Sequence, residues 1–142
     1  MKNKIYTIEV ENNETQSVDK IIEKIRENKI IYIKNKFYED ENILDSITEN
    51  GPAIILNSSG SSGKPRKCFH HLDNLKLSAA TSGQWLSDQG FELQKCLILN
   101  TLPLNHVSGL MPIFRSQTWG CDCINISPNL IKKNSRTFTF YN

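Results

Sequence analysis

The sequence predicts an α/β protein with a mostly parallel sheet and flanking helices. Three observations carry this. Short apolar runs recur, as at residues 53–56 and 95–100 (KCLILN), the composition of strands buried on both faces. Stretches with helical apolar spacing lie between them. Glycine or Gly-Pro marks the joints at Gly51-Pro52, Gly90 and Gly120. Strand, loop, helix, strand, helix, strand is the order of a parallel α/β sheet.

Each element follows from its residues. Ile5 to Val10 (IYTIEV) alternates apolar and polar, so it reads as a strand. Ser17 is expected to cap a helix running to about residue 28, with Val18, Ile21, Ile22 and Ile25 as its apolar stripe. Residues 29–33 form a second strand. Residues 35–50 are polar and acidic, with a weak helical signal at 43–47. Residues 53–56 form a buried strand. A long helix spans about 72–89, its face built from Leu72, Leu75, Leu77, Ala79, Ala80 and Leu86, with Gly90 just past its end. Residues 95–100 give another buried strand. Pro103 and His106-Val107-Ser108-Gly109 form a turn into an apolar helix that ends near Trp119, stopped by Gly120. Residues 121–126 form the last strand. Residues 134–142 (NSRTFTFYN) lack periodicity and read as an irregular tail after a domain at 1–133.

Composition excludes several classes. Of 142 residues 38% are hydrophobic, enough for a small core. Seventeen basic and 15 acidic residues leave a net charge of +2, too balanced for a nucleic-acid binder. No apolar run reaches the roughly 18 residues of a membrane span. The charged N-terminal stretch is no signal peptide, so a cytoplasmic protein is expected. Cys68, Cys96, Cys121 and Cys123 form no CxxC pair and, with the histidines, no zinc spacing; no metal site is expected. Cys121 and Cys123 share one face of a strand, and the cysteines read as small buried hydrophobes in a reducing compartment. His70 and His71 diverge by about 100° on a helix, so surface placement or helix entry is expected. Trp85 and Trp119 read as core or interface.

Asn57-Ser58-Ser59-Gly60-Ser61-Ser62-Gly63-Lys64-Pro65-Arg66-Lys67 has no side chain able to build a core. A Gly/Ser run is also the composition of a flexible linker. Its place between a buried strand and a long helix favours an anion-binding loop. Glycines let backbone N–H groups converge, serines add hydroxyl donors, and Lys64, Arg66 and Lys67 supply positive charge. The loop is not a nucleoside-triphosphatase P-loop: Ser58 holds the first glycine position, and Pro65 follows Gly63-Lys64.

Residues Ser58 to Lys67 resemble the signature loop of the adenylate-forming superfamily, roughly [ST]-[SG]-G-[ST]-[ST]-G-x-P-K-G. All positions agree but the last two, where Arg66 replaces lysine and Lys67 replaces glycine. Arg66 keeps the charge as a planar fork. Downstream, Leu102-Pro103-Leu104-Asn105-His106-Val107-Ser108-Gly109-Leu110 resembles the family's L-P-L-F-H-x-x-G segment, with Asn105 in place of the aromatic. His106-Val107-Ser108-Gly109 followed by Arg115 looks most like o-succinylbenzoate–CoA ligases of menaquinone and phylloquinone biosynthesis, of cyanobacterial type.

The resemblance implies the first part of an AMP-forming acid–CoA ligase fold. In that family a carboxylate attacks the α-phosphate of Mg-ATP, and the thiol of coenzyme A then displaces AMP. ATP with Mg2+ and coenzyme A are thus implied as co-substrates of the complete enzyme, with no tightly bound cofactor. Ser58, Ser59, Gly60, Ser61, Ser62, Gly63, Arg66 and Lys67 would hold the ATP phosphates, stabilising charge as it builds on their oxygens. His106 would be catalytic, beside the reacting carboxylate. Ser108, Gly109 and Arg115 would complete the acyl pocket with His106, Arg115 facing a second carboxylate. Arg115 might equally snorkel to solvent or pair with a protein carboxylate.

Later family motifs are not found: Y-G-x-T-E, the ribose-binding aspartate and the adenylation lysine of a small C-terminal domain. Truncation, a shifted frame or an incomplete gene record fits that pattern. Three readings stay open: an inactive truncated ligase, half of a split ligase, and a non-enzymatic phosphate-binding module. The implied partners are a small-molecule carboxylate, ATP and CoA, with no nucleic acid, and either a missing C-terminal part or a second copy of the chain.

Overall fold

A computed structural model describes residues 4–11, 15–37, 51–58 and 66–126. Strand β1 (Ile5–Val10) leads to helix α1 (Thr15–Arg26), β2 (Ile30–Asn35), β3 (Ala53–Asn57), β4 (Lys67–His71) and α2 (Leu72–Asp88). A short 3-10 turn (Leu93–Lys95), β5 (Leu97–Asn100), α3 (Val107–Trp119) and β6 (Asp122–Asn125) follow. The first four strands form one sheet in the order β1-β2-β3-β4. β1, β2 and β3 are parallel and β4 returns antiparallel to β3; β5 and β6 form a separate parallel pair. The architecture is the expected α/β one, with a mostly parallel sheet and flanking helices.

Period-two alternation splits the four-stranded sheet into two faces. Ile8, Val10, Ile31, Ile33, Ile54 and Leu56 join one core cluster with Val18, Ile21 and Ile25 of α1, Leu72, Leu75 and Ala79 of α2, and Leu110, Ile113 and Phe114 of α3. Burying a side chain such as Ile21, which is fully covered, contributes about 1.5–3 kcal/mol. Ile30, Tyr32 and Ile55 form a smaller cluster on the other face, with Ile5 and Phe69 against it.

Several expectations are corrected. Ser17 does not cap α1; it lies inside the helix and is buried. The glycine–serine segment does not lead directly into a helix. Lys67–His71 is a strand, made by antiparallel pairing of Lys67 with Asn57 through His71 with Ala53. His71 then stands at the N-cap position of α2, where helix entry was one of its expected places. Residues 95–100 are not a strand buried on both faces. The 3-10 turn takes Lys95, and in β5 Leu97 and Leu99 face outward while Asn100 is buried. Leu77 and Ala80 lie on the exposed side of α2. All four cysteines are free thiols and half-buried. Trp119 packs in, donating from Nε1 to the Ala79 carbonyl at 2.8 Å, whereas Trp85 is 63% exposed. The helical signal at 43–47 and the tail at 134–142 lie outside the described residues.

The helix ends follow their glycines. Gly120 takes φ 70°, and the N–H groups of Gly120 and Cys121 both donate to the Ser116 carbonyl, closing α3 in the left-handed cap geometry that glycine permits. Among the described residues no helix is long and apolar enough to cross a membrane.

Candidate functional site

The glycine–serine segment connects the two strands of the β3–β4 hairpin. Ser58 and Arg66 close its base. The Ser58 N–H donates to the Arg66 carbonyl at 2.7 Å, and the Ser58 hydroxyl accepts from the Arg66 N–H at 3.2 Å. Ser59, Gly60, Ser61, Ser62 and Gly63 lie outside the described residues, as do Lys64 and Pro65. β3 is buried along its length and runs parallel to β2, so the segment begins at the carboxyl edge of the parallel strands.

Beneath the hairpin base stands a polar group that sequence reasoning missed. Asn57 Nδ2 donates to the Tyr32 hydroxyl at 2.9 Å. Lys67 Nζ lies 4.6 Å from the centroid of the Tyr32 ring, within cation–π range. The sequence signal was the lone hydroxyl in the otherwise apolar run of β2. The Arg66 residue is exposed, free of the hairpin's interior.

The second cluster gathers at the start of α3. His106 occupies the N-cap position with extended backbone, φ −122° and ψ 148°. Its N–H donates to the Pro103 carbonyl at 3.1 Å, and its own carbonyl accepts from Gly109 at 3.0 Å and Leu110 at 3.1 Å. Its side chain makes no capping hydrogen bond, so the half-buried imidazole is not committed to holding the helix end. Ser108 is exposed and Gly109 buried. A Cβ on Gly109 would stand 2.0 Å from the Pro103 carbonyl oxygen; only glycine lets the Leu102–Pro103 backbone pass this close.

Asn100, also missed from sequence, ties this cluster together. It is 1% exposed. Its Nδ2 donates to the Gly109 carbonyl and to Asn125 Oδ1, both at 2.8 Å, and its Oδ1 accepts from the Leu102 N–H at 3.1 Å. One side chain thus joins the end of β5, the L-P-L turn, α3 and β6. A polar residue closing an apolar strand was the available signal.

Arg115 lies two turns further along α3, roughly 13 Å of helical rise from His106. It is half-buried, and its Nε is covered without a hydrogen-bond partner. α1 runs from the carboxyl end of β1 back toward the amino end of β2. Arg26, at its last turn, donates from Nη2 to Gln117 Oε1 at 2.9 Å. That bond sets Gln117, in the last turn of α3, against the last turn of α1. Among the described residues no group of three or more His, Cys, Asp or Glu is placed to hold a metal ion.

No family model matches the sequence, and no curated protein matches it. The backbone does match solved structures. The chain has the fold of the amino-terminal part of the adenylate-forming enzymes. It superposes on o-succinylbenzoate coenzyme A synthetase from Bacillus subtilis in complex with AMP, with a TM-score of 0.62 and 15% identity, covering 95% of this chain and 47% of that one. The same synthetase with ATP and magnesium ion gives a TM-score of 0.50 at 15% identity, covering 96% and 49%. A double mutant of it bound to the product analogue OSB-NCoA gives 0.50 at 15%, covering 95% and 37%. The chain thus spans at most about half the length of these structures.

Proposed function

We propose that this chain is the amino-terminal part of an AMP-forming acid–CoA ligase. It would grip the phosphates of ATP with the loop at residues 58–67 and present His106 to the acyl carboxylate. The observation that supports this most is a coincidence of independent signals. The adenylate-forming loop sequence begins directly after β3, in a chain whose backbone follows a solved o-succinylbenzoate coenzyme A synthetase over 95% of its length.

The chemistry follows from the groups present. Ser58 and Arg66 close the base of the loop, and backbone N–H groups between them would converge on the anion. The Arg66 side chain and Lys64 supply charge for the departing pyrophosphate. His106, free of a capping bond, can orient the carboxylate as it attacks the α-phosphate. Arg115 would receive a second carboxylate, which makes a dianionic acid such as o-succinylbenzoate the preferred substrate and menaquinone or phylloquinone synthesis the setting. Coenzyme A and a cytoplasmic location belong to the same reading.

The alternative reading is a non-enzymatic phosphate-binding module. Two measurements on the chain separate them. Calorimetry with pyrophosphate and Mg-ATP tests the grip, and binding lost in Arg66→Ala supports both readings. Exchange of labelled pyrophosphate into ATP, dependent on o-succinylbenzoate, tests the ligase half-reaction. Binding without exchange leaves the module or half of a split ligase; no binding to either ligand defeats the proposal.

A further inference from the structure

β5 and β6 pair in parallel register, Leu97 with Asp122, Ile98 with Cys123, Leu99 with Ile124 and Asn100 with Asn125. Leu97, Leu99, Asp122 and Ile124 are exposed, whereas Ile98, Asn100, Cys123 and Asn125 face inward. Cys96 and Cys121 immediately precede the paired residues Leu97 and Asp122, and continuing the alternation one step puts both on the inward face. The backbone of Cys96, the cap of the 3-10 turn, is extended, φ −72° and ψ 151°, and its thiol donates to the Glu92 carbonyl at 3.5 Å. Adjacent strands lie about 4.8 Å apart, inside the roughly 4.4–6.8 Å window of Cα separations a disulfide spans. Both residues are half-buried free thiols, close enough to solvent for a small reagent. Cys123 is two residues beyond Cys121, about 6.6 Å along the strand, and Cys68 lies on β4 of the other sheet. Burial pushes the Cys121 thiol up from its ordinary value, and Cys96 and Asp122 push it the same way.

We propose that Cys96 and Cys121 form a redox-active dithiol that closes to a disulfide across β5 and β6 on exposure to a low-molecular-weight disulfide. The thiolate of one attacks the oxidant's S–S bond and releases one small thiol, leaving a mixed disulfide. The second protein thiolate attacks the protein-bound sulfur and releases the other small thiol. Two protein thiols lose two protons and two electrons, and one small disulfide becomes two thiols. The new bond encloses the L-P-L turn, His106 and the whole of α3 in one covalent loop. Oxidation would thereby fix the segment that carries His106, Ser108 and Arg115. The inference rests on the placement of the two cysteines beside the paired strands and does not depend on the ligase reading.

The test uses the full chain and oxidised glutathione in mildly alkaline buffer, followed by alkylation of remaining thiols. Intact mass is expected to show two thiols protected and no bound glutathione. Cleavage after Lys95, Arg115 and Lys132 places Cys96 and Cys121 in different peptides, which should appear joined. Cys121 and Cys123 share a peptide, so Cys123→Ser should keep the cross-link and Cys121→Ser should abolish it. The melting temperature should rise by roughly 10 °C on oxidation and return with dithiothreitol, in the wild type and in Cys68→Ser. Four alkylated thiols, stable glutathione adducts on Cys96 or Cys121, or a cross-link to any other cysteine would overturn the proposal.

Discussion

The Lys67 ammonium stands 4.6 Å above the ring of Tyr32. The same tyrosine's hydroxyl accepts the Asn57 amide at 2.9 Å. Tyr32 is 2% exposed in the middle strand of the parallel set, so it cannot shift without disturbing β1 and β3. Asn57 and Lys67 are the last paired residues of the β3–β4 hairpin. A rigid core residue thus anchors both strands just before the loop begins, and whatever the loop binds is held by an immobile base.

Tyr32→Phe keeps the ring and removes the acceptor for Asn57. The chain is expected to lose about 1 kcal/mol of stability, read from urea unfolding. Tyr32→Leu also removes the ring under Lys67 and should lose about 3 kcal/mol. If the two variants prove equally stable, the ring contributes nothing beyond its hydroxyl.

Asn100→Ala strips three hydrogen bonds from a buried site, those to the Gly109 carbonyl, Asn125 Oδ1 and the Leu102 N–H. A loss of about 3 kcal/mol is expected, larger than the typical surface substitution. Amide exchange should accelerate first at Leu102, because its N–H donates to Asn100 Oδ1. Gly109→Ala should be worse still, since its methyl meets backbone at Pro103 and backbone cannot rotate away. Expression of soluble Gly109→Ala with an unchanged melting point would refute the close approach.

These two positions show what the sequence could and could not reveal. β3 was legible because Ala-Ile-Ile-Leu is apolar on both sides, and α3 because an apolar run is stopped by Gly120. β4 was not: Lys-Cys-Phe-His-His carries no alternation of its own, and its strand geometry comes from pairing with β3. β5 was read as buried on both faces because Leu97 and Leu99 look like core residues; in the chain one face of the β5–β6 pair has nothing packed on it among the described residues. His106 and Gly109 were found through a motif. Asn100 and Tyr32 were passed over because their roles depend on partners distant in sequence, Asn125 for one and Asn57 for the other.

That outward face of β5 and β6 carries Leu97 at 60%, Leu99 at 55% and Ile124 at 46% exposure. Leu99 and Ile124 are register partners, so the apolar surface is continuous across both strands. Contiguous apolar surface of this kind drives association. Leu99→Lys should lower light scattering of concentrated protein several-fold. Its effect on urea stability should stay within about 0.5 kcal/mol, as for an exposed site. A sharp, reversible melt of monomeric wild type with no concentration dependence would contradict this.

His70 supplies a pH dependence with a definite sign. It sits on β4, paired with Ile54, and burial lowers its pKa below the ordinary histidine value. The folded chain therefore holds His70 neutral at a pH where the unfolded chain has already protonated it. The unfolded state binds more protons in that window, so stability falls as pH is lowered through the ordinary histidine range and the loss levels off below the folded pKa. His70→Gln removes the titration and keeps a polar side chain of similar reach. Urea midpoints measured from neutral pH down to about pH 5, just above the carboxylate range, should fall more steeply for wild type than for His70→Gln. Parallel curves would mean that His70 is as well hydrated in the fold as out of it.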